Sequence, residues 1–502
     1  MKALDQLIKT ALLGTSRAST DSIDWPQPVS EQLQKFTKED AESFLLQSAA
    51  LLFSFQEAGQ TFPHSSTPIK AAPEEQRAYC SKLASQLLQR ILQDKSTDLV
   101  QHWLEACMAS QHIVYPQHLP SLLNLGKNQL SLRQSVQAVM GERGKWLAQM
   151  NPAWAYILST DKQIWEEGKT EERKYLLQNL REKDPQAALS LLQSSWKSES
   201  ADLRAEFLTL LEINLNANDL PFLEETLLDK SKKVKSTALN LLLLQKDSFI
   251  VQKIFHAASA MLEVKKSKSL FGFKGPAIAF RPTSMDRQLA EYGVNLESLD
   301  KNFSNEEYYT YELIEVINPA HWENHFQMEA SALLQAFQKE EKLTKFIPVL
   351  MEASVLHRNT HWANIFAEHL QKNKITLPKD KQYLSQEIIR VLTEQEKIRY
   401  FPASWSGLSL LEYLRLCDFS WTADFSRKAL QQLYRQYMES GINPYERDKM
   451  AALHKYLHPE ILKEKNSFLP PDQVRKASWR EAIELLFGTL ELRTSIHNAF
   501  KI

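Results

Sequence analysis

Six histidines stand in three pairs, four residues apart within each: His321 and His325, His357 and His361, His454 and His458. On a helix this spacing turns two imidazoles to one face, the way a metalloprotease helix presents two zinc ligands. The likeness stops at the ligands. HWENH, HRNTH and HKYLH all lack the glutamate directly after the first histidine, and spacing marks no further ligand. The pairs read as histidines on ordinary helix faces, and no metal is expected. GFKGP at 272–276 is not a phosphate-binding loop, because its lysine precedes the second glycine and no Ser or Thr follows a Gly-Lys. No serine sits in a nucleophile elbow, no glycine-rich dinucleotide fingerprint occurs, and no carboxylate pair is singled out for acid–base work. These residues predict no enzyme, no catalytic residue and no cofactor.

Basic residues offer binding instead. Lys265, Lys266, Lys268 and Lys274 share one stretch with Phe271 and Phe273. Basic residues interleaved with aromatics suit a single-stranded nucleic-acid groove, an acidic protein partner or a solvated loop. Among binding roles, protein contact is expected. Lys232, Lys233 and Lys235 form a second basic group, and the two groups together are the candidate partner-binding residues.

The elements that carry these residues are predicted to be helices. Twelve glycines in 502 residues are about a third of the usual ~7%, and loop-rich β folds and phosphate-cradling α/β folds both need glycine at positive φ. Arg173, Arg204 and Lys235 stand at steps of 31 residues within ERKYLLQNL, LRAEFLTLL and VKSTALNLL. Leu177, Leu208 and Leu239 come four residues later and Leu180, Leu211 and Leu242 seven later, which is one helical face. Leu189 and Leu192, Leu220 and Leu223, and Val251 and Ile254 outline a second helix in each unit. One such pair cannot bury its apolar face alone, so neighbours must stack, as in a HEAT-like α-solenoid.

The chain divides into five stretches: an N-terminal helical region at 1–140, a junction at 141–168, three HEAT-like pairs at 169–262, an irregular loop with a possible short hairpin at 263–310, and C-terminal helical repeats at 311–502. In the first, Leu4, Leu7, Ile8, Ala11 and Leu12 share a helix face that Gly14 can end with a left-handed turn. In the junction, GERGKWLAQMNPAWAYI is read as a structural joint: Gly141 and Gly144 permit tight turns, Arg143 ties the turn, KWLAQM is too short for an independent helix, and Asn151 caps a helix that Pro152 begins. Trp146 and Trp154 are its apolar anchors. The last helix, SWREAIELLFGTLELRTSIHNAF, is expected to cap the array.

A net charge of −1 supplies no global field for nucleic acid or an anionic bilayer. Cys80, Cys107 and Cys417 lack the paired spacings of a zinc site and fit reduced thiols in a cytoplasmic protein. Asp5 and Lys9 interrupt the first apolar run, which is read as an amphipathic helix rather than an export signal, and no stretch nears the ~20 apolar residues a membrane span needs.

GERGKWLAQMNPAW, with ALLGTSR at 11–17, HLPSLLNLG at 118–126, Trp-Glu-Glu-Gly at 165–168 and DLPFLEETLLDKSKKVKSTALNLL at 219–242, resembles an uncharacterised bacterial domain-of-unknown-function family of HEAT-like helical-repeat proteins. The resemblance covers roughly the whole chain. It implies a cytoplasmic protein often encoded beside a MoxR-type AAA+ ATPase, von Willebrand factor A (VWA) domain proteins and SWIM zinc-finger proteins, and it brings no catalytic residues. The expected function is a non-enzymatic scaffold or adaptor that binds a protein partner, an AAA+ ATPase or VWA protein being the one implied. The alternative is a nucleic-acid-binding HEAT-like protein, in one form a base-excision enzyme.

Overall fold

The computed structural model describes residues 2–58, 70–94, 96–246, 248–265, 277–401, 405, 408–470 and 477–500. The fold is all-α, and a single two-stranded hairpin is the only sheet among the described residues. Two compact units divide the chain, Met1–Ala72 and Pro73–Ile502. The division falls inside the stretch 1–140, at the polar, proline-bearing segment TFPHSSTPIKAAP (61–73), because the helices after that point share their core with later ones.

The first unit holds α1 (Lys2–Leu13), α2 (Gln27–Leu33) and α3 (Ala41–Ala58). Gly14 ends α1 at φ +85°, its N–H donating to the Thr10 carbonyl at 3.0 Å. The core takes Ala3 and Leu7 from α1, Val29 and Leu33 from α2, and Phe44, Leu45 and Leu52 from α3. The expected apolar face of α1 is thus only partly used: α1 buries the edge through Ala3, Leu7 and Thr10, and leaves Leu12 83% exposed.

In the second unit, α4 (Lys82–Gln93), α5 (Thr97–Ala109), α6 (Leu119–Asn128), α7 (Arg133–Val139), α8 (Gly141–Met150) and α9 (Asp161–Glu167) come first. Next are α10 (Thr170–Lys183), α11 (Pro185–Ser195), α12 (Ala201–Thr209), α13 (Leu220–Thr226), α14 (Lys232–Leu243) and α15 (Phe249–Ser259). The hairpin pairs β1 (Leu262–Lys265) antiparallel with β2 (Ala277–Phe280), Leu262 opposite Phe280. Beyond it lie α16 (Asn305–Glu315), α17 (Ala320–Phe326), α18 (Ala330–Lys339), α19 (Glu341–Thr344), α20 (Ile347–Leu356) and α21 (Thr360–Gln371). The remainder are α22 (Leu384–Val391), α23 (Glu394–Tyr400), α24 (Leu410–Leu416), α25 (Ala423–Ser440), α26 (Pro444–Ala451) and α27 (Ala477–Ala499).

The first helices of the three central pairs begin at Thr170, Ala201 and Lys232, each 31 residues after the last. Local chemistry sets these starts: Ser200 and Ser231 accept the Leu203 and Val234 N–H groups, and Asp184 caps α11 ahead of Pro185. Leu177, Leu208 and Leu242 are buried on the first helices and Leu211 in the 3-10 turn that follows α12, with Leu189, Leu192, Leu223, Val251 and Ile254 buried on the second. Helices pack on near neighbours in the chain, α10 on α11, α12 and α13 on α14, α15 on α16 and α20 on α16, α21 and α22, and one cluster of buried apolar residues extends from Trp165 to Leu490.

The final helix does not stand as a terminal cap. α27 packs on α26 and also on α4 and α5, so the last helix of this unit returns to the first. Leu492 and Ile496 enter the core around Trp103, whose indole meets the Phe500 ring edge-on at 5.2 Å, and Lys455 pairs with Asp98 at 2.6 Å. The reason lies in the apolar residues of α27: Ile483, Leu486 and Leu490 are buried in the main core, while Leu492 and Ile496 fill the one around Trp103.

Candidate functional site

The repeated basic positions are occupied from within. Arg173 forks onto the Glu199 carboxylate and lies 4.5 Å from the Trp165 ring centroid. One unit on, Arg204 donates to Asp229 at 3.0 Å and lies 5.6 Å from the Trp196 centroid. Burial pushes both carboxyls up, but hydrogen bonds and the facing guanidiniums outweigh it, and both pKa values fall below the ordinary range. These are clamps between successive helix pairs. Beside them, Arg181 and Asp219 form an ion pair with 0% and 1% side-chain exposure, and the guanidinium also donates to the carbonyls of Pro185, Leu211, Ile213 and Asn214.

The third rung differs. Lys235 replaces arginine, Leu227 stands where Trp165 and Trp196 stand, and Lys235 and Lys232 carry no ion pair among the described residues. Lys232 and Lys235 line one cleft, whereas Lys233 points to a different partner, Asp202, at 2.8 Å. The three lysines are therefore not one surface. Of the other expected contact residues, Lys266, Lys268, Phe271, Phe273 and Lys274 lie outside the described residues, as does the side chain of Lys265, whose backbone ends β1.

Three clefts adjoin one another on this part of the unit. The first, of about 1100 Å³, lies between Trp196, Arg204, Phe222 and Leu228. Leu228, 83% exposed, also borders the second, of about 890 Å³, which holds Lys232, Lys235 and Leu239 opposite Glu224, Glu291 and Glu312. That position explains why Leu239 is only half-buried in a column of buried leucines. α16 separates the second cleft from the third, giving Glu312 and Glu315 to one and Tyr308 and Tyr311 to the other.

The third cleft, of about 820 Å³, is lined by Phe303, Tyr308, Tyr311, Lys345, Lys374 and Lys381 among others. Ser304 starts α16 with a capping box to Glu307, which places Tyr308 and Tyr311 one turn apart, their rings near-parallel at 12° and 6.5 Å between centroids. Glu352 organises one wall: it accepts from Tyr311 at 3.0 Å, Lys381 at 2.7 Å and Tyr383 at 2.6 Å. Sequence reasoning passes over these residues. The aromatic run EEYYTYE is visible in the chain, but Glu352, Lys374 and Lys381 reach it only through folding.

The joint at 141–157 is built around a half-buried carboxylate, that of Glu75. Gly141 has φ +66°, the left-handed region, and a side chain there would meet the Glu75 carboxylate. That carboxylate accepts the Glu142 N–H at 2.7 Å and the Arg143 N–H at 2.9 Å, so an anion from the chain itself fills the start of α8. The expected turn at Gly144 and the expectation that KWLAQM is too short for a helix are both overturned: 141–150 is one helix, with Gly144 buried against Met140. Helix formation there draws on tertiary contact rather than on length. Arg143 is exposed and ties the turn by its backbone alone; Trp146 is half-buried. Asn151 accepts the Ala153 N–H at 3.0 Å ahead of Pro152, but the helix that Pro152 begins is 3-10 rather than α. Trp154, half-buried, donates to Asn124 at 2.9 Å.

Only His321 and His325 share a helix, α17. His357 closes α20 while His361 lies in α21, and His454 and His458 belong to separate 3-10 turns, so the expectation of paired helix faces fails for both. The turns between them redirect the chain. His325 packs edge-on to Phe255 and Phe326, and His357 meets the Val316 carbonyl at 2.9 Å with its pKa lowered by burial. Among the described residues, no three His, Cys, Asp or Glu side chains are grouped to hold a metal. The three cysteines are free and buried, which raises the Cys80 thiol to about 11 and Cys417 to about 12. Among the described residues, no helix is long and apolar enough to cross a membrane.

Fold and clefts together define an all-α protein of packed helices with a run of adjoining surface grooves. Residues 6–500 match DUF5691, a family of unknown function, and the chain belongs to that family. No curated protein and no solved structure matches it.

Proposed function

We propose that the chain is a non-enzymatic scaffold that holds a protein partner along its helical surface, and that its 31-residue helix pairs make it a HEAT-like α-solenoid of a bacterial cytoplasm. The observation that carries this reading is the succession of three clefts on neighbouring helices, the first two sharing Leu228 and the third on the other side of α16. Together they offer partly apolar grooves across successive helix pairs, the kind of surface by which helical-repeat proteins engage segments of other proteins. The internal clamps at Arg173 and Arg204 support it, since they tie successive helix pairs together, the second of them forming part of the wall of the first cleft. Resemblance to a family often encoded beside MoxR-type AAA+ ATPases and VWA-domain proteins makes one of these the partner to test first. The nucleic-acid reading draws on Lys232 and Lys235, but Glu224, Glu291 and Glu312 in the same cleft would repel phosphates.

The experiment is purification of a tagged full chain from its native cells, nuclease-treated, with and without ATP, followed by mass spectrometry. Stoichiometric recovery of an AAA+ or VWA protein that survives nuclease is the expected result. Recovery of nucleic-acid-associated proteins that vanish with nuclease would replace the scaffold reading with its rival.

A further inference from the structure

Resting on the scaffold reading, the third cleft can be assigned an occupant by its charge. Six charged side chains face it or border it. Two of its lysines are already spoken for: Lys345 pairs with Glu307 at 2.6 Å and sits 5.0 Å from the Phe303 ring centroid, and Lys381 pairs with Glu352 at 2.7 Å and sits 5.7 Å from that of Tyr311. What remains without an ion pair among the described residues is Asp300, Glu341 and Asp380 against Lys374 alone. The uncompensated charge of the cleft is therefore negative. Its walls are aromatic and apolar: Phe303 meets Tyr311 edge-on at 5.3 Å, Ile375 and Pro378 stand opposite, and Leu299 on the rim is 74% exposed.

An anion is disfavoured in such a place, and a purely apolar segment would leave three carboxylates uncompensated. A cation carried on a flat, weakly hydrated group gains from both features, since guanidinium stacks on tyrosine rings and forks onto carboxylates. The volume of about 820 Å³ admits a few residues of an extended chain rather than a helix. We propose that the third cleft binds an extended segment of the partner protein in which arginine stands next to apolar residues, the arginine meeting Glu341 or Asp380 over the Tyr308–Tyr311 pair and the apolar residues covering Leu299 and Ile375.

The test uses the full chain and a fluorescein-labelled nonapeptide, Pro-Leu-Arg repeated three times, read by anisotropy. Saturable binding is expected, at least tenfold weaker for the probe with Glu in place of Arg. The same loss is expected for the Glu341→Lys/Asp380→Lys variant, in which the charge is reversed, and for Tyr308→Ala, in which the charge is kept and one ring removed. Circular dichroism confirms that each variant is folded. Absence of binding, equal affinity for the Arg and Glu probes, or affinity unchanged in both variants would overturn the assignment. Purification from native cells separates this from the scaffold reading: a partner lost only from the charge-reversed variant supports both, and one retained by the variant overturns the cleft assignment alone. No partner on either form overturns both.

Discussion

Single side chains in this protein differ in weight according to what surrounds them. The Arg181–Asp219 pair is closed to solvent and its guanidinium also satisfies four carbonyls, so removing one partner leaves a buried charge and orphaned acceptors. Arg181→Met is expected to cost about 3–5 kcal/mol, read as a drop in the urea midpoint of unfolding; an unchanged midpoint would show the pair to be dispensable. Lys233 and Asp202, equally close at 2.8 Å, are open to water and screened. Lys233→Ala should leave the midpoint where it is. Legibility at this scale was uneven: Lys232, Lys233 and Lys235 are plainly basic in the sequence, but only the helix they share sends Lys233 to Asp202 and the other two to a cleft. Arg181 carries no signal at all, because a buried arginine and a solvated one are spelled the same.

At the scale of elements, caps and clamps decide where helices begin and how they meet. α8 starts at a glycine held at φ +66° beneath the Glu75 carboxylate. Gly141→Ala should destabilise by roughly 1–3 kcal/mol from backbone conformation alone, with faster hydrogen exchange at the Glu142 and Arg143 amides as the local sign. Protection equal to the parent chain would contradict the role given to Glu75. Between helix pairs, Arg173→Lys keeps the charge but loses the fork and the stacking on Trp165. Its melting temperature is expected to fall, and more than that of Lys235→Ala, whose side chain has neither contact. The periodicity that predicts these helices is local and survives in the sequence; the acid that answers each arginine, 26 residues on for Arg173 and 25 for Arg204, does not repeat in strict register and escapes alignment.

For the second unit as a whole, the meeting of its first and last helices carries a pH dependence. His454 is buried where α5 approaches α27, among Asp98, His102, Glu105, Asp418, Lys455 and Arg493. Burial first, then the charges of Arg493 and Lys455, hold its pKa down at about 4 against 6.5 for an exposed histidine. Between those values the unfolded chain binds a proton that the folded one refuses, so stability is full above about pH 6.5 and declines as pH falls toward 4. The loss is on the order of 3 kcal/mol. Thermal melts from pH 7 to 4 should show this decline, and His454→Gln should make it shallower, His102 and His357, also held down by burial, contributing to the rest; an equally steep decline in that variant would place the acid sensitivity elsewhere.

The amino-acid sequence by itself determined the cap at Asn151 and the stop at Gly14, because each depends on residues within a turn of one another, and the helical class and the 31-residue step, because glycine scarcity and apolar spacing are written along the chain. Tertiary structure alone decided that α27 returns to α4 and α5 and that Glu352 and Lys381 complete an aromatic cleft begun at Phe303. Those outcomes turn on which apolar faces find each other across tens to hundreds of residues, and an apolar stripe states that it must be covered without stating by what.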